Sequence, residues 1–218
     1  MSLEVNSGKP SVEHLVSAYM QTVLETGIFP KSVYAFCKAN QWEESDFYAL
    51  YGSLESLRKG IWSAFFHQTL DRTQADEGYE AASLREKSLS FLFTFFELLG
   101  LNRSYVLLDL ESGNSLKRLD RLAALRADLK KLAREWAQEE DSKPTGKLSG
   151  VRDAVFAEGM WAQFVFLLDF WRNDTSAGFE KTDLAIEKSV NTIFDLFDYT
   201  PLDRVIDFGK FLVRERFS

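Results

Sequence analysis

The stretch that decides the fold is SVYAFCKANQWEESDFYALYGSLESL, residues 32–57. Ser32 stands before a short run of apolar residues, where a serine side chain can cap the first turn of a helix. A second short run extends from about Glu43 to Leu50, and Gly52 and Ser53 then break the chain before a longer apolar face begins. The pattern predicts two short helices joined by a turn, followed by a longer helix.

The residues before this stretch predict one more helix. Ser11 precedes apolar residues at helical spacing, and Gly27 stands where such a helix would stop. After Ser53 the apolar face continues towards Leu70, and the polar segment Asp71–Tyr79 is expected to connect the N-terminal part with the rest. The N-terminal part is therefore a small bundle of short helices around one longer helix.

The remainder also shows helical patterns, and no sustained alternation predicts a strand. Ser83 and Glu86 fit a capping box before an apolar run that ends near Leu99, and a polar loop is expected over Glu139–Gly150. The other predicted helices cover Leu116–Trp136, Val151–Trp171, Thr182–Phe197 and a last segment that begins at Thr200 and Pro201. The sequence thus predicts an all-α protein of about nine helices.

Composition excludes several classes of protein. The 218 residues carry a net charge of -7, which argues against coating nucleic acid or anionic lipid with the whole surface. The one cysteine, Cys37, allows no intramolecular disulfide, which is consistent with a protein of a reducing compartment. The polar N-terminus and the lack of a long apolar run predict a cytoplasmic protein without an integral membrane segment.

Residues 32–57 resemble the helix-turn-helix of the tetracycline-repressor (TetR) family, without a gap. The matched positions are Ser32, Val33, Phe36, Cys37, Trp42, Tyr48, Tyr51, Ser53 and Leu57, and Gly27 matches the glycine that ends helix one. The resemblance implies a helix-turn-helix head at residues 1–66, with helix four bridging to a helical body at 67–218. In that family the body binds a ligand and forms a dimer.

The resemblance also implies which head residues would meet DNA, namely Ser32, Glu43, Glu44, Ser45, Asp46 and Tyr48. Three of these are acids, and they would repel phosphates. Residues 1–66 hold five Lys or Arg against seven Asp or Glu, and Leu54 stands where the family commonly has Lys. Gln41 replaces the usual turn glycine, so strain is expected there. These departures disfavour DNA binding.

For the body, the resemblance implies a hydrophobic ligand pocket and a homodimer. The candidate pocket residues are Phe91, Phe95, Tyr105, Phe156, Trp161, Phe164 and Trp171. The alternative is that these aromatic residues form only the core and the dimer seam. By resemblance, Val151–Trp171 and Thr182–Phe197 are the helices expected to form the dimeric bundle.

The helix over residues 117–134 is basic, which predicts a docking surface for a protein partner, a membrane-surface helix or a solvated helix face. No catalytic constellation, phosphate-binding loop or cofactor motif is recognisable. His14 and His67 are isolated, so we expect no metal site and no enzyme.

Two functions follow from these observations. The first is a TetR-like transcriptional regulator with a hydrophobic effector. The second is a TetR-fold protein that does not bind DNA and acts as a lipid-binding or protein-docking module.

Overall fold

The computed structural model describes residues 9–141 and 149–199. Within these ranges the chain forms ten α-helices, one 3-10 helix and no strand, which confirms the predicted all-α fold. The helices are α1 Val12–Thr26, α2 Val33–Ala39, α3 Glu44–Leu50, α4 Leu54–Gln74, α5 Leu84–Leu101, α6 Arg103–Glu111, α7 Ser115–Arg121, α8 Ala123–Asp141, α9 Ser149–Asn173 and α10 Glu180–Tyr199, with the 3-10 helix Ala177–Phe179 before α10.

The predicted helix starts are formed by side-chain caps. The hydroxyls of Ser11 and Ser32 accept hydrogen bonds from amides of the first turns of α1 and α2. Gly27 ends α1 in the left-handed conformation, with φ 65°. The amide of Ser83 donates to the carboxylate of Glu86 at 2.7 Å, so the predicted capping box is present. These caps are local, which is why the sequence showed them.

Three helix boundaries and one additional helix differ from the prediction. Helix α4 continues to Gln74 through part of the expected connection, because Thr69 and Thr73 face inwards and are buried. Helix α6 was not predicted. Helix α8 extends to Asp141 and α9 begins at Ser149, inside the expected loop. The predicted helix that begins at Thr200 lies outside the described residues.

The prediction of a single basic helix over Leu116–Trp136 was wrong. The chain breaks at Leu122 and forms two helices, α7 and α8. The sequence pattern counts Arg121, the last residue of α7, as a solvated cation, and in the structure it is not one. Its side chain is 2% exposed and bonds to Ser112 instead of extending into solvent. Lys130 forms an ion pair with Glu158. The expected basic face is therefore neither continuous nor fully available to a partner.

Contacts divide the chain into two compact units, each made from two separate segments. The first unit comprises Met1–Gln68 and Glu97–Asp128, and the second comprises Thr69–Phe96 and Leu129–Ser218. In the first unit α2 packs on α3 and α1 on α6, and in the second α9 packs on α10. The predicted division into a head at 1–66 and a body at 67–218 stays a prediction.

A close approach in the first unit depends on a glycine. The ring of Tyr51, just after α3, lies over Gly60 of α4. A Cβ atom at position 60 would stand 2.6 Å from the hydroxyl and from one ring carbon of Tyr51. The missing side chain therefore allows the tyrosine to lie against the helix backbone.

Among the described residues, one helix is apolar enough to cross a membrane by length and composition, namely the part of α9 over Asp153–Asn173. The pair α5 and α6 passes the same test only as one span bent by 88°. A buried core helix of a water-soluble protein has the same composition, and 44% of the α9 window is buried. This stretch alone does not identify a membrane protein.

Candidate functional site

The helix-turn-helix is held together by aromatic rings around Phe36 of α2. The ring of Phe36 meets those of Tyr19 on α1, Trp42 in the turn and Phe47 on α3 edge-on, with centroids 5.7, 6.0 and 6.2 Å apart. Phe36, Phe47 and Tyr19 are buried. Short helices cannot bury an apolar face alone, so these contacts fix α2 and α3 on α1. Of the positions matched in the sequence, Val33, Phe36, Cys37 and Leu57 are buried, whereas Tyr48 is exposed.

The outer face of α3 is open to solvent. Ser45 is exposed, and the Tyr48 side chain is 53% exposed. Phe47 holds the opposite face in the core. Ser32, a predicted phosphate contact, is exposed but uses its hydroxyl to cap α2. The arrangement presents a recognition-type helix whose accessible polar groups include a serine and a tyrosine.

The start of α3 is acidic, and its acids face several ways. Glu43 is exposed and makes no side-chain cap, whereas Glu44 and Asp46 are half-buried. Lys9 lies 3.6 Å from Asp46. Burial raises the pKa of the Cys37 thiol, and the charges of Glu44, Asp46 and Glu43 raise it further. The negative potential of these acids therefore reaches into the motif.

Cations on the same part of the chain are mostly paired with acids. Besides Lys9, Arg58 contacts Asp109 and Lys59 lies 2.8 Å from Asp120. The Lys38 ammonium lies over the ring of Tyr34, with 5.6 Å to the centroid. Few positive charges are left for phosphates on the described part of residues 1–66.

The turn between α2 and α3 is strained at Gln41. Its φ is 59°, in the left-handed region where the family resemblance places a glycine. A residue with a Cβ atom adopts this conformation at a cost of about 1–2 kcal/mol. The expected strain is therefore present, and the chain keeps the turn without its usual residue.

The seven candidate pocket residues lie in two different units. Tyr105 belongs to the first unit, whereas the other six belong to the second, on α5 and α9. Six of the seven are buried, and Trp161 is half-buried.

Most of the rings in the second unit pack directly on one another. The centroid of Phe164 lies 5.2 Å from that of Phe95 and 5.7 Å from that of Trp161, and Phe95 stacks on Phe91 at 5.8 Å. Phe91 in turn meets Trp136 edge-on at 6.0 Å. A ligand among these rings would have to displace at least one of them.

Two surface cavities of the second unit are lined by residues outside the predicted set. One, of about 280 Å³, is lined by Phe166, Asp169, Phe170, Asn173, Asp174, Thr175 and Lys181. The other, of about 380 Å³, is lined by Glu80, Ala81, Ala82, Ser83, Leu84, Glu86, Lys87, Trp136 and Glu139. Both carry charged groups beside an aromatic ring.

Beside the first cavity, Asp174 organises the turn from α9 to α10. Its carboxylate accepts hydrogen bonds from the amide and hydroxyl of Ser176, at 2.8 and 2.6 Å, and from those of Thr182, at 2.9 and 2.7 Å. Burial raises the pKa of Asp174, but these hydrogen bonds outweigh burial and lower it to about 2.

Sequence reasoning missed a buried charged cluster in the first unit, centred on Asp109 of α6. Oδ1 accepts from Arg58 Nε at 3.0 Å and Nη2 at 2.6 Å, and Oδ2 accepts from Trp62 Nε1 at 3.0 Å. Arg121 approaches from α7, with Nη1 3.8 Å from Oδ1, and donates to Ser112. Asp109 is fully buried. The only signal in the sequence was an acid within an apolar segment.

Two polar atoms of this region are buried without a hydrogen-bond partner among the described residues, the hydroxyl of Tyr105 and Nε of Arg121. Burial raises the pKa of the Tyr105 phenol, and the nearby Asp109 carboxylate raises it further. Burial also lowers the pKa of Arg121, which Asp109 offsets only in part. Among the described residues, no group of three or more His, Cys, Asp or Glu side chains is placed to hold a metal ion.

Comparison with known families decides the relationship. A family described as "Tetracyclin repressor-like, C-terminal domain" matches residues 87–212, more than half of the chain. The chain belongs to this tetracyclin repressor-like family. The match lies on the body, whereas the resemblance noticed in the sequence lay on the helix-turn-helix, so both parts agree on one family. The family is repressor-like rather than enzymatic.

Other comparisons add little. No curated protein matches the chain. Among solved structures, the fatty acid degradation regulator FadR from Bacillus halodurans is similar, with 14% identity, a TM-score of 0.44, and coverage of 82% of this chain and 95% of that chain. At this score the likeness supports no conclusion about the function of the tetracyclin repressor-like chain.

Proposed function

We propose that this tetracyclin repressor-like protein is a transcriptional regulator, a homodimer whose body binds a small hydrophobic ligand and whose head contacts DNA. The observation that supports DNA contact is the helix-turn-helix geometry, in which aromatic contacts hold α3 with Ser45 and Tyr48 facing outwards. Side chains of these types reach phosphates and base edges in such motifs.

A second candidate function is favoured by the charges of the head. Three acids stand at the start of α3, and Lys9, Arg58 and Lys59 are engaged by acids. Because the electrostatic part of duplex binding comes from cations that neutralise phosphates, this head is poorly suited to a duplex. In this alternative the protein keeps the fold without DNA binding and acts as a lipid-binding or protein-docking module.

Fluorescence anisotropy with labelled duplexes separates the two candidates. The duplexes have random sequence or come from the region upstream of the protein's own gene, and binding is measured at low and at near-physiological salt. Sequence-preferring binding tighter than about 1 μM at near-physiological salt supports the regulator. No binding even at low salt contradicts the regulator and supports the second candidate.

A charge variant tests the electrostatic argument separately. Glu43→Lys should raise the affinity for random duplex severalfold at low salt, and less at higher salt, because the change replaces repulsion by attraction. Glu25→Lys on α1 makes the same change in net charge and is the matched control. Equal effects of the two variants would show that only net charge matters and that α3 does not approach DNA.

The proposed dimer uses the outward face of α9. Phe166 and Phe170 are four residues apart on this face, with exposed fractions of 56% and 37%, and the adjacent Val165 is 36% exposed. A row of exposed apolar side chains on the helix that the resemblance assigns to the dimer is what an isologous interface needs. Phe166→Glu should convert the dimer to a monomer in light scattering after size exclusion. Leu119→Glu, equally exposed on α7, should leave the mass unchanged; a monomeric wild type would contradict the proposal.

The proposed hydrophobic ligand occupies the aromatic cluster of the second unit after a ring is displaced. Native mass spectrometry of the purified protein detects a bound lipid or similar molecule directly. Phe95→Trp should abolish the bound mass because the larger ring fills the space that the ligand needs. Phe93→Trp on the same helix, where the ring is 37% exposed, should retain it. A wild type that carries and takes up no apolar molecule would leave the cluster as packed core.

A further inference from the structure

The two short helices of the helix-turn-helix carry charges of opposite sign. The segment of α2, residues 31–39, contains two lysines and no acid. The segment of α3, residues 43–50, contains three acids and no Lys or Arg. The lysines are Lys31 and Lys38, and the acids are Glu43, Glu44 and Asp46. The charges of the motif are therefore divided between its helices rather than mixed.

This division matches the way in which a helix-turn-helix lies on DNA. The first helix of such a motif crosses the sugar-phosphate backbone, and the first residues of the second helix reach base edges in the major groove. Lys31, just before α2, and Lys38, on α2, are exposed where cations neutralise phosphates. The acids stand at the start of α3, which is the part of the motif that reaches the base edges.

Two of the three acids are available to a ligand. Asp46 lies 3.6 Å from Lys9, so it already has a cation. Glu43 makes no side-chain cap on α3. In the described part of the chain, neither Glu43 nor Glu44 takes part in an ion pair or a side-chain hydrogen bond. Their carboxylate oxygens are therefore free to accept hydrogen bonds from bound DNA.

Glu44 is the acid whose position on α3 is best defined by the core. It lies four residues before Tyr48, so the two side chains share one side of the helix, and Tyr48 is 53% exposed. Ser45 is exposed beside them. The rotation of α3 is set by Phe47, which is buried and meets the ring of Phe36 edge-on. The same core contact therefore holds Glu44 at the edge of the outward face.

A carboxylate in the major groove distinguishes cytosine from the other bases. Cytosine presents its N4 amino group there, and a carboxylate accepts a hydrogen bond from this group. Guanine and thymine present only acceptors on this edge, which repel an ionised carboxylate because it has no hydrogen to donate. Adenine presents a donor, N6, next to an acceptor, N7, and this pair fits an amide better than a carboxylate.

We propose that Glu44 is a specificity-determining residue, which accepts a hydrogen bond from the N4 amino group of a cytosine in each half-site of the DNA. This inference rests on the proposed regulator and names the base that its recognition helix selects. The negative charge of α3 lowers the affinity for every duplex, and the bond to cytosine offsets this loss only in the correct sequence. The acids of α3 thus favour selectivity over affinity.

Selection from a library of random duplexes, followed by sequencing, tests this role without a known DNA site. The full-length wild type should enrich a palindrome with cytosine at one position of each half-site. Glu44→Gln should enrich the same palindrome with adenine at that position, because a glutamine amide bonds to both N6 and N7 of adenine. The unchanged positions show that the variant is folded. Glu25→Gln, the same change in charge on α1, should keep the cytosine.

Fluorescence anisotropy with two duplexes that differ only at this base pair measures the effect. The wild type should bind the cytosine duplex at least about fivefold more tightly than the adenine duplex, and Glu44→Gln should reverse this order. If the wild type enriches no sequence, the regulator itself is contradicted. If it enriches a sequence in which Glu44→Gln changes no position, or in which Glu25→Gln makes the same change, only the role of Glu44 is overturned and the regulator stands.

Discussion

The two compact units of this protein have interiors of opposite character. The first is organised around Asp109, with hydrogen bonds of fixed direction to Arg58 and Trp62. The second is organised around Phe164 and its aromatic neighbours, whose edge and stacked contacts tolerate a range of angles. In a hydrogen-bonded interior, a small chemical change in one side chain lowers stability strongly because each group has a specific partner. In an aromatic interior, stability depends mainly on the volume of the side chains.

The largest effect is expected from Asp109→Asn. The change keeps size and shape but removes the charge that Arg58 and Arg121 share, which leaves two buried cations. Breaking a buried ion pair costs about 3–5 kcal/mol, so the free energy of unfolding should fall by that amount in urea titration. Asp120→Asn, on the exposed pair with Lys59, is the control and should cost less than about 1 kcal/mol. A small effect at Asp109 would remove the contrast between the units.

Asp174→Ala tests whether the second unit also contains a directional element. The variant leaves the donors of Ser176 and Thr182 without their acceptor and should cost about 2–3 kcal/mol. The pKa of Asp174 in the folded state, about 2, lies below its ordinary value of 3.8. The ionised carboxylate of Asp174 therefore contributes fully to folding stability above about pH 4, and this contribution is lost as the pH falls towards 2. Unfolding curves of wild type and variant should converge over that range. If the two free energies of unfolding still differ at pH 2, the negative charge of Asp174 is not the source of the stabilisation.

Phe164→Leu probes the aromatic interior with a change of shape. Neighbouring rings can adjust to a similar volume, so the cost should be about 1–1.5 kcal/mol, well below that of the isosteric change at Asp109. Phe164→Ala should cost about 3–5 kcal/mol because it leaves a cavity. Equal losses for Leu and Ala, measured by urea unfolding, would show that ring geometry is specified as strictly as the charged cluster.

The smallest effect is expected from Gln41→Gly in the first unit. It relieves the strain of a φ of 59° and should raise the free energy of unfolding by about 0.5–1 kcal/mol. Asn40→Gly, the adjacent residue with a negative φ, should not stabilise the protein. A loss of stability in Gln41→Gly would show that the glutamine side chain contributes more than its strained backbone costs.

Much of the fold could be predicted because its signals are local. Ser11, Ser32 and Ser83 cap the helices that follow them, and Gly27 ends α1, all within four residues of the signal. Part of the aromatic core around Phe36 could also be predicted, since Phe36 and Trp42 match positions of a known motif. The site residues on α3 were named from the same match.

The buried charged cluster, the break at Leu122 and the end of α4 could not be predicted. They depend on contacts between residues that are far apart in the sequence. Arg58 and Asp109 are 51 positions apart, and nothing near Asp109 shows that its charge is neutralised. Arg121 looked like part of a solvated basic face, so the break at Leu122 was missed. Thr69 and Thr73 are buried polar residues, and their polarity suggested a linker where α4 continues. Burial of polar groups depends on tertiary partners, which local patterns do not contain.

The tyrosine that lies over Gly60 links two positions of the chain across nine residues. Because a Cβ atom at position 60 would stand 2.6 Å from the ring of Tyr51, neither position can change size independently of the other. Relatives with a larger residue at position 60 should carry a smaller one at position 51, so the two positions should covary. An alignment of relatives would then record, as paired substitutions, how closely the residue after α3 must approach α4.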